Sequence, residues 1–395
     1  MTATGDRSPA RGHIYLSSNF WDGLWIIQQP IANEISREEP VLYVERFVSI
    51  FTVLRYPALW RRLFTWLRGA RRVHPGLRVL APLPLFHLGH RVPFLFRLEF
   101  AIQRWWIRWW AADDRVARRI LWLDNPLYQC AIRRLGESVA VYHVADEITA
   151  FPTSHPEITR LLERKTLRRV DLVFAAAQRL ADDKRRWQPR THTVWNAIDP
   201  VAFARDVPAD AVRDIEAIPA PRIAFIGVLD AWVDLELLAL AGRQLPLVHF
   251  VLVGPSHVDD RGLRGQPNMH LLGRRDRFVV PGILRRCSAS LVPFKKTTLT
   301  ERIVPLKIFE ALAAGIVPVC TDFSVDLESF ERDGYALIGR TPEAFVAAIA
   351  RAVALDSPAR REQLAAFGRR QTWAARWAQM RAALAEAVPP AGRGG

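Results

Sequence analysis

Lys307 and Glu310 follow a proline in the run Pro305-Leu306-Lys307-Ile308-Phe309-Glu310, and their spacing of three puts both on one helical face near the helix start. A lysine beside a helix N-terminus suits a diphosphate, because the ammonium and the amide dipoles both present positive charge to it. A carboxylate one turn on can accept hydrogen bonds from both hydroxyls of a ribose. An exposed Lys/Glu ion pair is the plainer alternative at this spacing. The leading proline and the return Ala313-Ala314-Gly315-Ile316-Val317-Pro318-Val319 into a strand favour a site. Three glycine-ended apolar runs come earlier, closing at Gly227, Gly254 and Gly273. One glycine after a strand is as readily a plain turn as a place where phosphate meets backbone, but three in series exceed what turns require.

Such residues need a frame to hold them. Short β-branched runs alternate with longer helical patterns along the whole chain, the signature of βαβ units on a parallel sheet. The first half predicts strands at 13–17, 41–44, 77–81, 120–124, 139–143, 172–175 and 191–195, with helices at 24–36, 93–119, 157–168 and 177–187. The second half predicts strands at 222–226, 248–253, 269–272, 289–293, 317–321 and 336–338. The expected fold class is α/β, two Rossmann-like doubly wound domains with ligands in an interdomain cleft at the carboxyl ends of the strands. The plan is a flexible N-terminus at 1–12, a first domain at 13–200, a Pro- and Asp-rich linker at 201–221 and a second domain at 222–357. A long helix at 358–387 then packs towards the first domain through Trp373, Trp377 and Met380, and a tail at 388–395 follows.

With 395 residues, half of them apolar, the chain has enough material for two cores. Cys130, Cys287 and Cys320 are odd in number and widely spaced, which argues against a disulfide framework or a metal cluster and fits a reducing cytoplasm. Residues 1–12 contain no apolar leader core, and no uncharged apolar run reaches the roughly 18 residues of a membrane span. The formal charge of +15 is concentrated: residues 55–120 hold fourteen Arg against Glu99, Asp113 and Asp114, a local excess of 14 − 3 = +11, together with six of the fourteen Trp.

Within the helix predicted at 93–119, Arg97, Arg104, Arg108 and Arg115 form one stripe. Leu98, Ile102, Trp105, Trp106 and Trp109 form the adjoining apolar face, and Phe96, Phe100 and Ile107 turn to the far side. This is the composition of a helix lying at an anionic membrane surface, with Arg97, Arg104, Trp105, Arg108 and Trp109 as the membrane-facing set. A core helix with an arginine-rich solvent edge is the alternative. No nucleic-acid-binding module accompanies the charge, so no nucleic-acid partner is expected.

The chain as a whole resembles the retaining, GT-B-type glycosyltransferases of family four, especially bacterial members associated with cell-surface polysaccharide synthesis. The resemblance rests on Phe20-Trp21-Asp22-Gly23-Leu24-Trp25 with Gln28 and Gln29, Val141-Tyr142-His143-Val144-Ala145-Asp146, Asn196-Ala197-Ile198-Asp199, Phe225-Ile226-Gly227-Val228, Asp234-Leu235-Glu236-Leu237, Pro267 to Arg274 and Pro305 to Gly315. It implies an enzyme of hexosyltransferase type, with His143, Lys307 and Glu310 as its catalytic set. The implied donor-binding set is Gly23, Gly227, Arg274, Lys296, Leu306, Lys307 and Glu310. Gly23 would face sugar and diphosphate, His143 the transferred sugar, Gly227 the diphosphate and the backbone near Arg274 the base.

It further implies a nucleotide-diphosphate sugar as substrate with no other cofactor, no metal, a lipid-linked or glycan acceptor, and a cytoplasmic protein peripheral at the inner face of the cell membrane. No Asp-x-Asp run suggests a metal site. For His143 a plain strand-end histidine remains an alternative, and for Asp146 a turn or helix cap. Two departures stand out: Arg302 occupies the position where the family often has a first glutamate, with Glu301 beside it, and Asp230, Trp232 and Asp234 fill the segment that usually holds an Arg and a Lys. These leave open a binding-only member of the family, and a nucleotide-sugar epimerase would share the architecture.

Overall fold

The computed structural model describes residues 10–23, 25–56, 60, 62–85, 93–113, 116–150 and 155–387. The 1–9 stretch, the 388–395 tail, Arg115 and the side chain of Phe96 lie outside that set. The chain divides into two compact units, the first running to residue 176 with 180–194 and 376 onward, the second comprising 177–179 and 195–375.

The first unit is built on β1 (Ala10–Leu16), β2 (Val41–Val44), β3 (Ala70–His74), β4 (Leu77–Leu80), β5 (Val116–Leu123), β6 (Val139–Val144), β7 (Leu172–Ala175) and β8 (Thr191–Thr193). They lie in the order β3-β4-β2-β1-β5-β6-β7-β8, parallel throughout except where β3 pairs antiparallel with β4. The second sheet contains β9 (Arg222–Ile226), β10 (His249–Val253), β11 (Met269–Gly273), β12 (Ala289–Val292), β13 (Val317–Thr321) and β14 (Leu337–Gly339). Its order is β11-β10-β9-β12-β13-β14, all parallel. Every residue of β2, β6, β7 and β12 is buried, as strands covered on both faces must be, so they read as largely apolar runs, broken only by His143 in β6 and Ser290 in β12. Strand order reverses between β1 and β5 and between β9 and β12, the two places where doubly wound sheets open a crevice.

Several expectations are corrected. Residues 10–12, read as part of a flexible N-terminus, belong to β1. The helix predicted at 93–119 stops at Ala111, and Val116 begins β5, where Ile120 pairs with His13 of β1. The sequence pattern had no place for β3, an edge strand with exposed Arg71, Arg72 and Val73. The single helix at 358–387 is two, Pro358–Arg370 and Trp373–Ala387. Between them the Gln371 carbonyl accepts from the Ile198 amide, and the Thr372 hydroxyl caps the second helix by accepting from the Ala375 amide. Residues 201–221 hold short helical turns whose Val212 and Ile215 are buried in the second unit against Val251, Val279 and Ile283.

Candidate functional site

The reversal between β9 and β12 gathers the second unit's most unusual residues. Gly227 directly follows β9 and Gly254 directly follows β10, with φ of +140° and +143° in the region that favours glycine. A Cβ on Gly254 would run into the Gly227 carbonyl oxygen, so the two turns lie against each other. The loops after β9 and β12 are stitched together: the Asp234 amide donates to the Pro293 carbonyl at 2.8 Å and the Lys295 amide to the Trp232 carbonyl at 2.8 Å. Asp234 also caps the helix Leu235–Gln244 by accepting from the Leu237 amide at 3.0 Å.

Behind this crevice stands the helix Leu306–Ala313. Pro305 occupies its N-cap and no side chain caps it, which leaves first-turn amides for a ligand. Asn196 Nδ2 donates to the Val304 carbonyl at 2.8 Å and fixes the approach. At the far end Gly315, at φ +80°, lets the Ile316 amide reach Ala311 and its own amide reach Leu312, a Schellman turn that returns the chain into β13.

This geometry brings Lys307 to the switch point. Its Nζ lies 4.3 Å from the Phe225 ring centre and 4.8 Å from that of Phe294, and 2.9 Å from where a Cβ on Gly227 would be. Burial lowers its pKa to about 8, with Glu310 pulling the other way. Glu310, one turn on, is pushed up by burial and held back by Arg277 and Lys307. The Arg277 guanidinium sits 3.3 Å from Glu310 Oε1. The crevice thus joins two glycine turns, an ammonium, helix amides and a guanidinium-braced carboxylate, a set able to hold a diphosphate and the adjoining ribose.

Of the other expected donor residues, Leu306 opens the helix and is half-buried, while Arg274 is exposed in the turn after β11. Lys296 is exposed and paired with Asp322 at 3.3 Å. Arg302 turns its Nη1 to the Thr298 carbonyl at 2.9 Å and lies 3.7 Å from Glu301. Gly23 and His143 belong to the first unit. Gly23 is exposed in the turn after β1, its amide donating to the Phe20 carbonyl at 3.1 Å.

His143 is buried on β6, where its Nδ1 meets the Tyr15 hydroxyl at 2.7 Å and its ring lies edge-on to Trp122. Burial lowers its pKa to about 4, so the ring is neutral at neutral pH. Asp146 is half-buried and pushed up to about 6. Arg277 was not singled out from sequence. It stands in Arg274-Arg275-Asp276-Arg277, where only the fold distinguishes one arginine from the next.

The helix Pro93–Ala111 is anchored by buried Phe100, Gln103 and Ile107, with the Gln103 amide bonded to both the Leu83 amide and carbonyl. Trp105 and Trp109 face solvent, and Arg97, Arg104 and Arg108 are exposed. Trp106, placed on the same apolar face from sequence, turns inward: its Nε1 donates to the Ala81 carbonyl and its ring meets Trp66 edge-on. No helix among the described residues is long and apolar enough to cross a membrane.

Residues 220–354, which contain the whole switch point, match the family Glycosyl transferases group 1. That stretch, about a third of the chain, is similar to group 1 glycosyl transferases. Over 167 residues the chain is 25% identical to a Bacillus subtilis (strain 168) protein provisionally named teichuronic acid biosynthesis glycosyltransferase TuaH. That alignment covers 40% of this chain and 42% of TuaH, so the shared part is under half of either protein. The fold extends further than the sequence match. Sucrose-phosphate synthase from Thermosynechococcus elongatus superposes with a TM-score of 0.68 at 16% identity, over 95% of this chain and 98% of that one. Anabaena HepE in complex with UDP-glucose gives 0.64 at 15%, over 95% and 99%. The UDP-forming α,α-trehalose-phosphate synthase from Burkholderia xenovorans gives 0.64 at 11%, over 95% and 100%. The chain thus has the GT-B fold of these structures, and Lys307 and Glu310 lie inside the stretch that matches the family model.

Proposed function

We propose that this chain is a retaining, metal-independent glycosyltransferase that moves a sugar from a nucleotide diphosphate to a hydroxyl of a lipid-linked or cell-surface glycan. The reading is carried by Lys307, whose ammonium lies at the β9/β12 reversal beside Gly227 and in the first turn of an uncapped helix. Breaking the bond from the sugar's anomeric carbon to the diphosphate leaves negative charge on the departing oxygen. The ammonium and the first-turn amides stabilise that charge most where it is greatest, in the transition state. Glu310, braced by Arg277, accepts from the ribose hydroxyls and fixes the nucleotide. The departing phosphate oxygen takes the acceptor's proton, so the new bond forms on the face the diphosphate leaves and no protein base is required.

The UDP-glucose complex of HepE makes a uridine diphosphate sugar the first donor to test. The likeness to TuaH supports a cell-surface polysaccharide. The outward Trp105 and Trp109 beside Arg97, Arg104 and Arg108 support a cytoplasmic enzyme held at the inner face of the cell membrane, with an acceptor presented there. No cofactor beyond the donor enters this scheme. A binding-only role is the second reading, motivated by Arg302.

The deciding assay incubates purified protein with UDP- and GDP-sugars, with and without a membrane extract and a chelator, and identifies the products. Acceptor-dependent nucleotide release that survives the chelator, with the anomeric configuration retained, is the expected result. An isomerised donor would make the protein an epimerase, and donor binding without turnover would establish the binding-only role.

A further inference from the structure

Exposed apolar side chains are also gathered in the part of the chain that precedes the helix Pro93–Ala111. Phe51, Leu54 and Tyr56, on and just after the helix Ile50–Arg55, are each more than half exposed. So are Trp60, Phe64 and Leu67, around the helical turns Arg62–Thr65 and Trp66–Arg68. On Pro93–Ala111 itself Phe94, Leu98, Ile102, Trp105 and Trp109 are exposed to the same degree. Among the described residues, thirteen of the twenty-two large exposed apolar side chains fall between 51 and 109. Soluble surfaces scatter such groups singly, and a contiguous patch beyond a few hundred Å2 marks a docking surface.

Packing shows that this exposure does not come from loose helices. Trp66 meets Trp106 edge-on at 6.2 Å between ring centres, and Gly69 fits against the Trp110 indole where a Cβ has no room. The turn Trp66–Gly69 is therefore packed directly against the longer helix. Arg55, Arg68, Arg97, Arg104 and Arg108 are exposed along these segments, and Glu99 is the sole acidic residue from 50 to 111 against eleven arginines.

We infer that the two limbs form a single lipid-docking surface which seats the first unit on an anionic bilayer, with Phe51, Leu54, Phe64 and Leu67 as a second inserting limb beside Pro93–Ala111. The inference rests on the membrane-side reading above and extends it to residues that no periodicity in the sequence marks. Charge selects the occupant. Two copies of this chain meeting through the same face would press their arginines together with a single glutamate each to offset them. Lipid phosphates meet the guanidinium groups while Trp and Leu side chains enter the acyl boundary, so one occupant satisfies both halves of the surface.

The test uses the full chain and vesicles of phosphatidylcholine, alone or mixed equally with phosphatidylglycerol. One variant combines Phe51→Ser, Leu54→Ser, Phe64→Ser and Leu67→Ser; a second combines Arg97→Gln, Arg104→Gln and Arg108→Gln. The wild type should co-sediment with the anionic vesicles far more than with the neutral ones. The serine variant should lose roughly tenfold or more in partitioning, and the glutamine variant roughly 100-fold at low salt. Both should keep the wild-type unfolding midpoint, and the serine variant its protection by UDP. Wild-type partitioning by the serine variant overturns the second limb. Equal binding to neutral vesicles, or a dimer that the serine substitutions dissociate, overturns the lipid assignment. Sugar transfer to a detergent-solubilised acceptor is read on the same samples, so a failure of the glycosyltransferase reading shows there and leaves the vesicle result standing.

Discussion

Lys307 carries a charge that its surroundings disfavour. Wedged between Phe225 and Phe294, it has its pKa lowered to about 8, whereas a lysine in an unfolded chain titrates near 10.4. Between those values the unfolded chain binds more protons, so this residue's contribution to stability rises with pH across that window, and the penalty is fully present below it. Lys307→Met keeps the packing without the charge and should raise the unfolding free energy of the ligand-free protein at neutral pH, by on the order of 1 kcal/mol. The same substitution should abolish protection by UDP. Calorimetry with and without UDP measures both, and protection that persists in the variant would remove Lys307 from the site.

Arg277→Gln acts on Glu310 in the opposite sense. Burial already raises the Glu310 carboxyl, and losing the guanidinium raises it further, so the acid limb of donor binding should move to higher pH, by up to about one unit. Titrating UDP-sugar affinity against pH checks this, and Arg277→Lys should recover part of the shift. At this scale the sequence made Lys307 and Glu310 legible because a helix period joins them. Arg277 was hidden because it reaches Glu310 across 33 positions of chain.

Elements that are buried on both faces or closed by a recognisable cap were readable in advance, and those shaped by their neighbours were not. β7 is a continuous apolar run and β6 is one but for His143, and the predicted bounds fall within a residue of the observed ones. β3 has the sequence Ala-Arg-Arg-Val-His and exists because β4 offers it an edge. Arg118 and Arg119 prolonged a helical pattern into what β1 recruits as strand. The break at Gln371 is set by its bond to Ile198, far away in sequence.

The glycine turns give an element-level contrast. Gly227→Ala places a Cβ against the Lys307 ammonium, the far end of a flexible side chain, and should weaken UDP binding roughly tenfold or more at a stability cost of about 1–3 kcal/mol from its backbone angle. Gly254→Ala meets a carbonyl that cannot step aside, and should cost roughly 3 kcal/mol or more. Urea unfolding and nucleotide titration of the pair separate the two effects; equal stability losses would contradict the packing described.

For the molecule as a whole, doubled βαβ alternation made the two parallel sheets legible, and charge counting located the basic aromatic region. The units' true membership was not legible, because the chain leaves the first unit near residue 194 and re-enters it at 376. Gly227, Arg277, Lys307 and Glu310 all fall in the second unit. Scanning calorimetry should therefore resolve two transitions, with UDP at a hundred times its dissociation constant stabilising one of them by about 2.7 kcal/mol. Equal movement of both would place nucleotide contacts in the first unit as well.

The re-entry also fixes an order of assembly. Trp377 lies edge-on to His13 at 5.9 Å between ring centres and tilted against Trp122 at 6.4 Å, and its indole donates to Glu38 at 3.2 Å. A chain leaving the ribosome has finished every strand of the second sheet before this tryptophan emerges. The N-terminal unit, made first, is thus sealed last, and a product cut short anywhere before Trp377 exposes an aromatic wall that quality-control proteases and chaperones can read.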